Sequence, residues 1–246
     1  MKGKIGNGVV LLVAFLASPA FVAAQEAKVL SFAGEHDPVW YLKATRPLLI
    51  GGYGDNFSYS GTRVTPLTGE VRVLLNAQRN TGTMIVTVHG TINPEKGKRY
   101  TGEIKIVYTI AKKGPAFWES GVADFIYLHG NTKQGPPVMP KLRAFLAAWG
   151  SADVYVDGKV VYRGLDGHMM YTERTRDPKT KAIYNRNRTG FYSPKNPTNA
   201  SIAVPEEKEL HFVVHSTVAD KGNFPPHSVW IHPNFQDVAD LSYSGR

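Results

Sequence analysis

The chain has 246 residues and no cysteine, and its 29 Lys and Arg outnumber its 20 Asp and Glu, for a formal net charge of +9. The absence of cysteine excludes a disulfide scaffold, a thiol nucleophile, iron–sulfur ligation and a Cys-rich zinc site. With 42% hydrophobic and 11% aromatic residues, the chain is too apolar to be intrinsically disordered. Its length suits one all-β domain or two small domains.

The N-terminus has the pattern of a secretory signal peptide. Lys2 and Lys4 precede an unbroken apolar run at residues 9–16, and Val22-Ala23-Ala24 places small residues at the two positions that a signal peptidase reads. The apolar run is too short to span a bilayer well, and no second run follows it. We therefore expect residues 1–24 to be cleaved after Ala24, with an uncleaved N-terminal anchor as the alternative. The mature chain, residues 25–246, is then a periplasmic or extracellular protein of bacterial type without a transmembrane segment.

Export bears on two features of the composition, the absence of cysteine and the positive net charge. A protein without cysteine in an oxidising compartment must rely on packing alone for its stability. When Lys2 and Lys4 are subtracted from the 29 basic residues, 27 remain against 20 acidic ones. A basic exported protein meets anionic glycans and envelope surfaces, which are possible partners. Nucleic acid is not an expected partner in the periplasm or outside the cell. The alternative is a surplus charge that only maintains solubility.

Most of the mature chain reads as strands. Apolar and polar residues alternate through residues 70–76, 83–89, 100–110, 152–162, 210–217 and 228–238, with turn residues between these segments. The pair Asp157-Gly158 predicts a tight type I′ hairpin turn, because both central residues of that turn need positive φ.

One segment instead has a helical period. Pro140 suits the first turn of a helix and Gly150 suits its C-terminal end. Between them, apolar residues follow the i, i+3, i+4, i+7 spacing of a helix face: these are Leu142, Phe145, Leu146 and Trp149. We therefore predict an all-β fold, an antiparallel β-sandwich or jelly-roll-like single domain over residues 25–246 with one short amphipathic helix. A closed β-barrel is the alternative.

Histidine is distributed unevenly along the chain. His36 and His89 precede residue 100, and the other six His lie between residues 129 and 232. On a strand through residues 210–217, alternation places His211 and His215 on the face opposite an apolar trio. That trio is Leu210, Phe212 and Val214. Because the trio should face the core, the two His should share the other face, with about 7 Å between their Cα atoms.

These two His suggest a metal site. His168 and His232 are the further candidate ligands, and Glu173 lies near His168 in the sequence. Imidazole ligands suit zinc or copper, and neighbouring methionine thioethers would favour Cu(I). No complete ligand motif demands a cofactor, and the alternative interpretation is that these His are ordinary half-exposed strand residues.

A second candidate site is the basic stretch at residues 173–199. Arginine guanidinium groups bind carboxylates, sulfates and phosphates with two parallel hydrogen bonds, and aromatic faces stack on sugars or bases. The candidate ligand-binding residues are Arg174, Arg176, Arg186, Arg188, Tyr184 and Tyr192. The alternative is a long solvated loop.

No motif identifies a reaction. There is no Gly-X-Ser-X-Gly nucleophile elbow, and no pair of carboxylates can be assigned as acid and base. We therefore predict an exported β-sandwich binding protein for a metal ion or a small anionic or glycan ligand, and favour a non-enzymatic role. The alternatives are a metal-dependent or glycan-processing enzyme on the same scaffold, and an envelope structural protein without a small-molecule site.

Overall fold

The computed structural model of the chain describes residues 39–137, 139–193 and 204–242. The predicted signal peptide and residues 194–199 of the basic stretch lie outside these described residues. The strands are β1 (Val39–Ile50), β2 (Val64–Pro66), β3 (Thr68–Asn76), β4 (Thr81–Glu95), β5 (Lys98–Ile110), β6 (Val122–Leu128), β7 (Leu142–Val156), β8 (Lys159–Arg174), β9 (Val204–His215), β10 (Trp230–Ile231) and β11 (Pro233–Asp240). A 3-10 turn at Gly130–Thr132 follows β6.

Eight of the strands close into an antiparallel barrel. Around the barrel their order is β1, β3, β4, β5, β7, β8, β9 and β11, and β11 pairs with β1 again. The short strands β2, β6 and β10 extend the sheet beside β1, β7 and β9. The all-β prediction is confirmed, and the closed barrel that was the alternative architecture is the one that forms. Closure pairs both edges of the eight-stranded sheet with each other, so among the described strands free edges remain only on the short added strands β2, β6 and β10.

The barrel interior follows the alternation seen in the sequence. Met84, Val86 and Val88 of β4 point into the core, as do alternate residues of the other barrel strands. Tyr108 of β5 contacts Phe212 of β9 across the interior, with 5.5 Å between ring centroids. Each fully buried Val, Leu, Ile, Phe or Met side chain contributes roughly 1.5–3 kcal/mol to the stability of the fold through its removal from water.

The predicted helix at residues 140–150 is wrong, because this segment is the first part of β7. The register against β8 shifts between Ala144 and Leu146, which is a β-bulge. A bulge moves the alternation by one residue, and the apolar residues on its two sides therefore fall at the spacing of a helix face. β7 pairs with β5 and β6 along one edge and with β8 along the other, so long-range pairing overrides the local pattern.

The predicted hairpin turn between β7 and β8 is present. Asp157 has a φ of 47° and Gly158 a φ of 74°, as a type I′ turn requires. No helix within the described ranges is long and apolar enough to cross a membrane.

Candidate functional site

A cavity of about 160 Å³ lies against the barrel wall made by β8 and β9. Six imidazoles line it, those of His129, His168, His211, His215, His227 and His232. The other lining residues are apolar or uncharged, and they include Phe57, Met139, Met170, Val213 and Trp230 together with Thr175. No Asp, Glu, Lys or Arg is among the described residues that line the cavity.

The cavity lies on the outer face of the barrel wall, because lining and core residues alternate along both strands. On β9, Leu210, Phe212 and Val214 belong to the interior core, whereas His211 and His215 line the cavity. The register of β8 against β9 pairs Met170 with His211 and His168 with Val213, so side chains of both strands face the same space. The two histidines of β9 thus lie on the face opposite the apolar trio, the arrangement that the alternation indicates.

Connecting segments at residues 51–63, 129–137, 139–141, 175–193 and 216–229 cover the outer face of this wall. Hydrogen bonds join these segments to one another: the Asn56 side-chain amide donates to the carbonyls of Pro225 and His227 at 2.8 and 3.1 Å. The Tyr59 hydroxyl donates to Met139 Sδ at 3.0 Å. These bonds join segment 51–63 to segments 216–229 and 139–141 over the cavity.

Glu209, His211 and His232 form a buried hydrogen-bonded chain, of which the two histidines line the cavity. Glu209, which is fully buried, accepts hydrogen bonds at Oε1 from the backbone N–H and the hydroxyl of Thr175, both at 2.8 Å. The same oxygen lies 2.9 Å from His211 Nε2. His211 Nδ1 in turn lies 3.0 Å from His232 Nε2. His232 Nδ1 is buried and has no hydrogen-bond partner among the described residues.

The charge of Glu209 determines which ring nitrogen of His211 carries a proton. Burial alone raises the pKa of Glu209, but the interaction with His211 and the hydrogen bonds from His211 and Thr175 outweigh burial and lower this pKa to about 2. Glu209 is therefore ionised at neutral pH, and His211 Nε2 must carry a proton to make an attractive contact with it.

The carboxylate of Glu209 indicates the tautomer of the two imidazoles. Asn234 Nδ2 donates to Glu209 Oε2 at 3.3 Å and lies 3.2 and 3.5 Å from the two nitrogens of His211, so this amide does not distinguish them. In a neutral His211 ring, the proton that Nε2 directs at Glu209 leaves the lone pair on Nδ1. The proton between the two rings then belongs to His232 Nε2, which donates to His211. The remaining nitrogen, His232 Nδ1, is consequently an unprotonated acceptor.

A second group of imidazoles lies beside the first. His215 Nδ1 and His227 Nδ1 both hydrogen-bond the carbonyl oxygen of Ser216, at 3.1 and 2.8 Å. A carbonyl only accepts, so both rings carry a proton on Nδ1 and present a lone pair at Nε2. The two ring centroids are 4.0 Å apart, and the ring of His168 lies 6.2 Å from that of His215.

Four of the six imidazoles of the cavity have a lowered pKa. Burial, followed by the neighbouring His215 and other His residues, lowers the pKa of His168 to about 3. Burial likewise lowers the pKa of His129 to about 4. The pKa of His232 falls well below its ordinary value because of burial, and then because of His211, Arg176 and His168. Burial also lowers the pKa of His227. At neutral pH these four rings are uncharged donors and acceptors.

All four predicted metal ligands, His168, His211, His215 and His232, line this one cavity. Within the described part of the chain, however, no group of three or more potential ligands is arranged to hold a metal ion. His211 uses both ring nitrogens in hydrogen bonds to Glu209 and His232. Glu173 accepts a hydrogen bond from the backbone N–H of Arg143 at 3.0 Å. Metal binding stays a prediction.

The predicted basic site is divided between the interior and the surface. Arg176 is fully buried, and its guanidinium donates to the carbonyls of Phe57, Ser58 and Lys181. Arg174 is also buried and bonds the Glu207 carboxylate at 2.5 Å. These two guanidinium groups therefore join parts of the protein to each other.

The other four residues of that prediction lie after β8. Tyr192 is buried, Tyr184 is half-buried, and Arg186 and Arg188 are exposed. The guanidinium of Arg188 lies over the Tyr184 ring at 5.1 Å and bonds Asp177 at 2.9 Å. Binding of an anionic ligand at this surface stays a prediction.

Sequence reasoning missed four residues of the site: His129, His227, Trp230 and Glu209. Glu209 had a signal, because it stands two residues before His211 and alternation places it on the same face. His129 and His227 lie in connecting segments, where no periodic pattern assigns a direction to a side chain. Comparison of the chain with models of protein families, with curated proteins and with solved structures gives no match.

Proposed function

We propose that this is an exported binding protein that takes a small, neutral, largely apolar molecule into the His-lined cavity. One observation carries the proposal: six imidazoles and the Trp230 ring converge on one mostly apolar cavity. Concave apolar spaces with a few convergent polar groups are the usual form of small-molecule sites. A cavity of about 160 Å³ is of the size that holds a single aromatic ring.

The lining favours a neutral ligand over an anion. The described lining residues include no Lys or Arg, and the lowered pKa values leave His129, His168, His227 and His232 uncharged at neutral pH. Burying an unpaired charge there would cost several kcal/mol. Neutral imidazoles offer hydrogen bonds of both kinds, so a ring compound with a hydroxyl or N–H group matches the lining.

The test is ligand-observed NMR on the mature protein with phenol, indole and imidazole, and with phosphate and acetate as anionic comparisons. Val213→Phe adds bulk on the cavity side of β9, and we expect it to weaken the Kd of the neutral compounds at least about tenfold, or 1.4 kcal/mol. His89→Ala is the matched control, because His89 is an exposed histidine of β4 that faces Glu103. Absence of binding by every neutral compound, or equal binding by Val213→Phe, contradicts the proposal.

Metal binding is a second candidate, and the shared Ser216 carbonyl favours it. A hydrogen bond from Nδ1 to a carbonyl is the usual way in which a metal-binding His is oriented for coordination through Nε2. His215 and His227 both have this orientation, and His168 is the nearest third imidazole. Zinc or copper would suit three nitrogen ligands, provided that the His168 ring turns toward the pair.

Metal analysis of the purified protein after equilibration with zinc or copper tests this candidate. We expect one bound ion in the wild type and none in a variant with both His215→Ala and His227→Ala. The His89→Ala variant should bind as the wild type does. Equal metal content in the double variant would exclude the site.

Export is part of the proposal and has its own measurement. The mass of the protein recovered from the periplasm or medium should correspond to a chain beginning at Gln25. Recovery of only the full-length chain from the membrane fraction would instead support the uncleaved anchor.

A further inference from the structure

We propose that a row of aromatic rings and cations at one end of the barrel binds an acidic polysaccharide, a polymer of sugar rings that carry carboxylates. None of the members of this row lines the His-lined cavity, so the inference goes beyond the binding function proposed above. The members of this aromatic row come from β1, β6, β7 and β9, and they are Trp40, Phe125, Arg143, Phe145 and Lys208. Because β1, β7 and β9 run in the same direction, the early residues of these three strands meet at one end of the barrel.

Rings and cations follow one another without a break along the aromatic row. The ring centroids of Trp40 and Phe125 are 5.5 Å apart. The Arg143 guanidinium lies over the rings of Phe125 and Phe145, at 5.8 and 5.3 Å from their centroids. Lys208 Nζ lies 4.7 Å from the centroid of Phe145. Neighbouring strands are about 4.8 Å apart, so a row that crosses from β6 to β9 spans about 14 Å, which suits a stretch of a linear polymer.

Two rings of this surface are held in water. Phe125 is 45% exposed, and Tyr127, which flanks the aromatic row on β6, is 49% exposed. Phe125 also has a φ of 51°, a conformation that a bulky residue rarely adopts. Backbone strain of this kind persists only where the surrounding structure imposes it, and it is concentrated at functional sites. Here the strained residue is one that presents an aromatic ring to solvent.

The cations of this surface are held by rings rather than by acids. Lys141 Nζ lies 5.0 Å from the centroid of the Tyr127 ring, and Arg143 and Lys208 lie over the rings of the aromatic row. Among the described residues, no carboxylate is within ion-pair distance of the side chains of Lys141, Arg143 or Lys208. A ring contact leaves the positive charge uncompensated. These three cations therefore remain available to an anionic partner.

An acid at one end of the aromatic row favours a sugar polymer over a membrane surface. The Asp124 carboxylate accepts a hydrogen bond from Trp40 Nε1 at 3.4 Å, and a carboxylate has about four lone-pair sites in all. It can thus accept protons from sugar hydroxyls as well, whereas it would repel the anionic headgroups of a bilayer. The C–H face of a sugar packs on an aromatic ring, and a guanidinium binds a carboxylate with two parallel hydrogen bonds. An acidic polysaccharide therefore matches each kind of group in the row.

The experiment measures binding of trigalacturonate, a short sugar polymer with a carboxylate on every ring, by isothermal titration calorimetry. Its methyl ester is the neutral comparison and should bind at least about tenfold more weakly. Arg143→Gln should also weaken the Kd about tenfold, the effect of losing one hydrogen bond between charged groups. Phe125→Ala removes the exposed ring and should weaken the Kd about fivefold.

Matched control variants lie on the basic stretch after β8. Arg186→Gln removes an exposed arginine and Phe191→Ala a phenylalanine that is 50% exposed, and both should bind trigalacturonate as the wild type does. If Arg186→Gln abolishes binding while Arg143→Gln does not, the sugar binds at the basic stretch and the proposal is wrong. Far-UV circular dichroism of each variant shows whether the barrel is intact.

Three other results would overturn the proposal. These are no binding of trigalacturonate by the wild type, equal binding of the methyl ester, and binding that Phe125→Ala and Arg143→Gln leave unchanged. Sedimentation with phosphatidylglycerol vesicles covers the membrane: vesicle binding that these two variants abolish, without trigalacturonate binding, would make the aromatic row a membrane surface instead. Phenol and indole should not displace trigalacturonate, because the cavity is a separate site. The binding function of the cavity therefore stands or fails independently of the aromatic row.

Discussion

Replacing Glu209 with Gln should destabilise the protein by about 3 kcal/mol at neutral pH. The side chain is fully buried, and glutamine preserves its shape while removing its charge. The native environment lowers the pKa of Glu209 from 4.5 to about 2, and donors from Thr175, His211 and Asn234 hold the charged form. Hydrogen bonds to a charged group, at about 1.5–3 kcal/mol each, support a loss of this size.

The pH dependence of this difference has a definite sign. A carboxylate with a lowered pKa stabilises the folded state above its unfolded-state pKa, and the contribution is lost as the pH falls through its folded-state pKa. For Glu209 the window runs from about pH 4.5 down to about pH 2. The stability difference between the wild type and Glu209→Gln should be complete at pH 7 and should shrink steadily below pH 4.5.

Urea denaturation at pH 7, 5, 4 and 3, followed by tryptophan fluorescence, measures this difference. Glu103→Gln is the matched control, because Glu103 is a half-exposed strand glutamate that also lies beside a histidine; we expect it to change stability little. The reasoning is refuted if Glu209→Gln is as stable as the wild type at pH 7, or if its deficit is the same at pH 3.

Two further predictions concern the frame of the barrel. Gly150→Ala should lower the free energy of unfolding by at least about 2 kcal/mol, because its Cβ would lie 1.8 Å from the Thr109 carbonyl oxygen. Gly97→Ala is the control: its Cβ would have open space, but the φ of 73° should lower the free energy of unfolding by about 1 kcal/mol. Equal losses in thermal denaturation would show that strand spacing does not depend on Gly150. Arg176→Lys should lose about 2–4 kcal/mol, because a lysine cannot reach all three carbonyls that the guanidinium bonds; an unchanged urea midpoint would contradict this account.

The strands were predictable because burial on one face imposes a period of two. That period also explains why His211 and His215 could be assigned to one face before the fold was known. The first part of β7 was not predictable, because a bulge beside Phe145 interrupts the alternation and the sequence does not show which strands will pair. Closure of the barrel is likewise a long-range property, since it depends on β8 pairing with both neighbours.

The site was only partly predictable for a related reason. Strand periodicity assigns directions to side chains, so it could place His211 and His215 on one face. It gives no direction to His129 or His227, which reach the cavity from connecting segments. Periodicity also cannot show that Arg176, in a stretch that reads as a solvated basic loop, is buried beneath those segments.

Because the cavity lies outside the barrel wall, the residues that pack the barrel interior are different from the residues that line the cavity. The interior is filled by its own side chains. The cavity lies instead between the connecting segments and one outward face of β8 and β9. Substitutions or insertions in residues 51–63 and 216–229 can therefore reshape the cavity while the packing of the barrel stays unchanged.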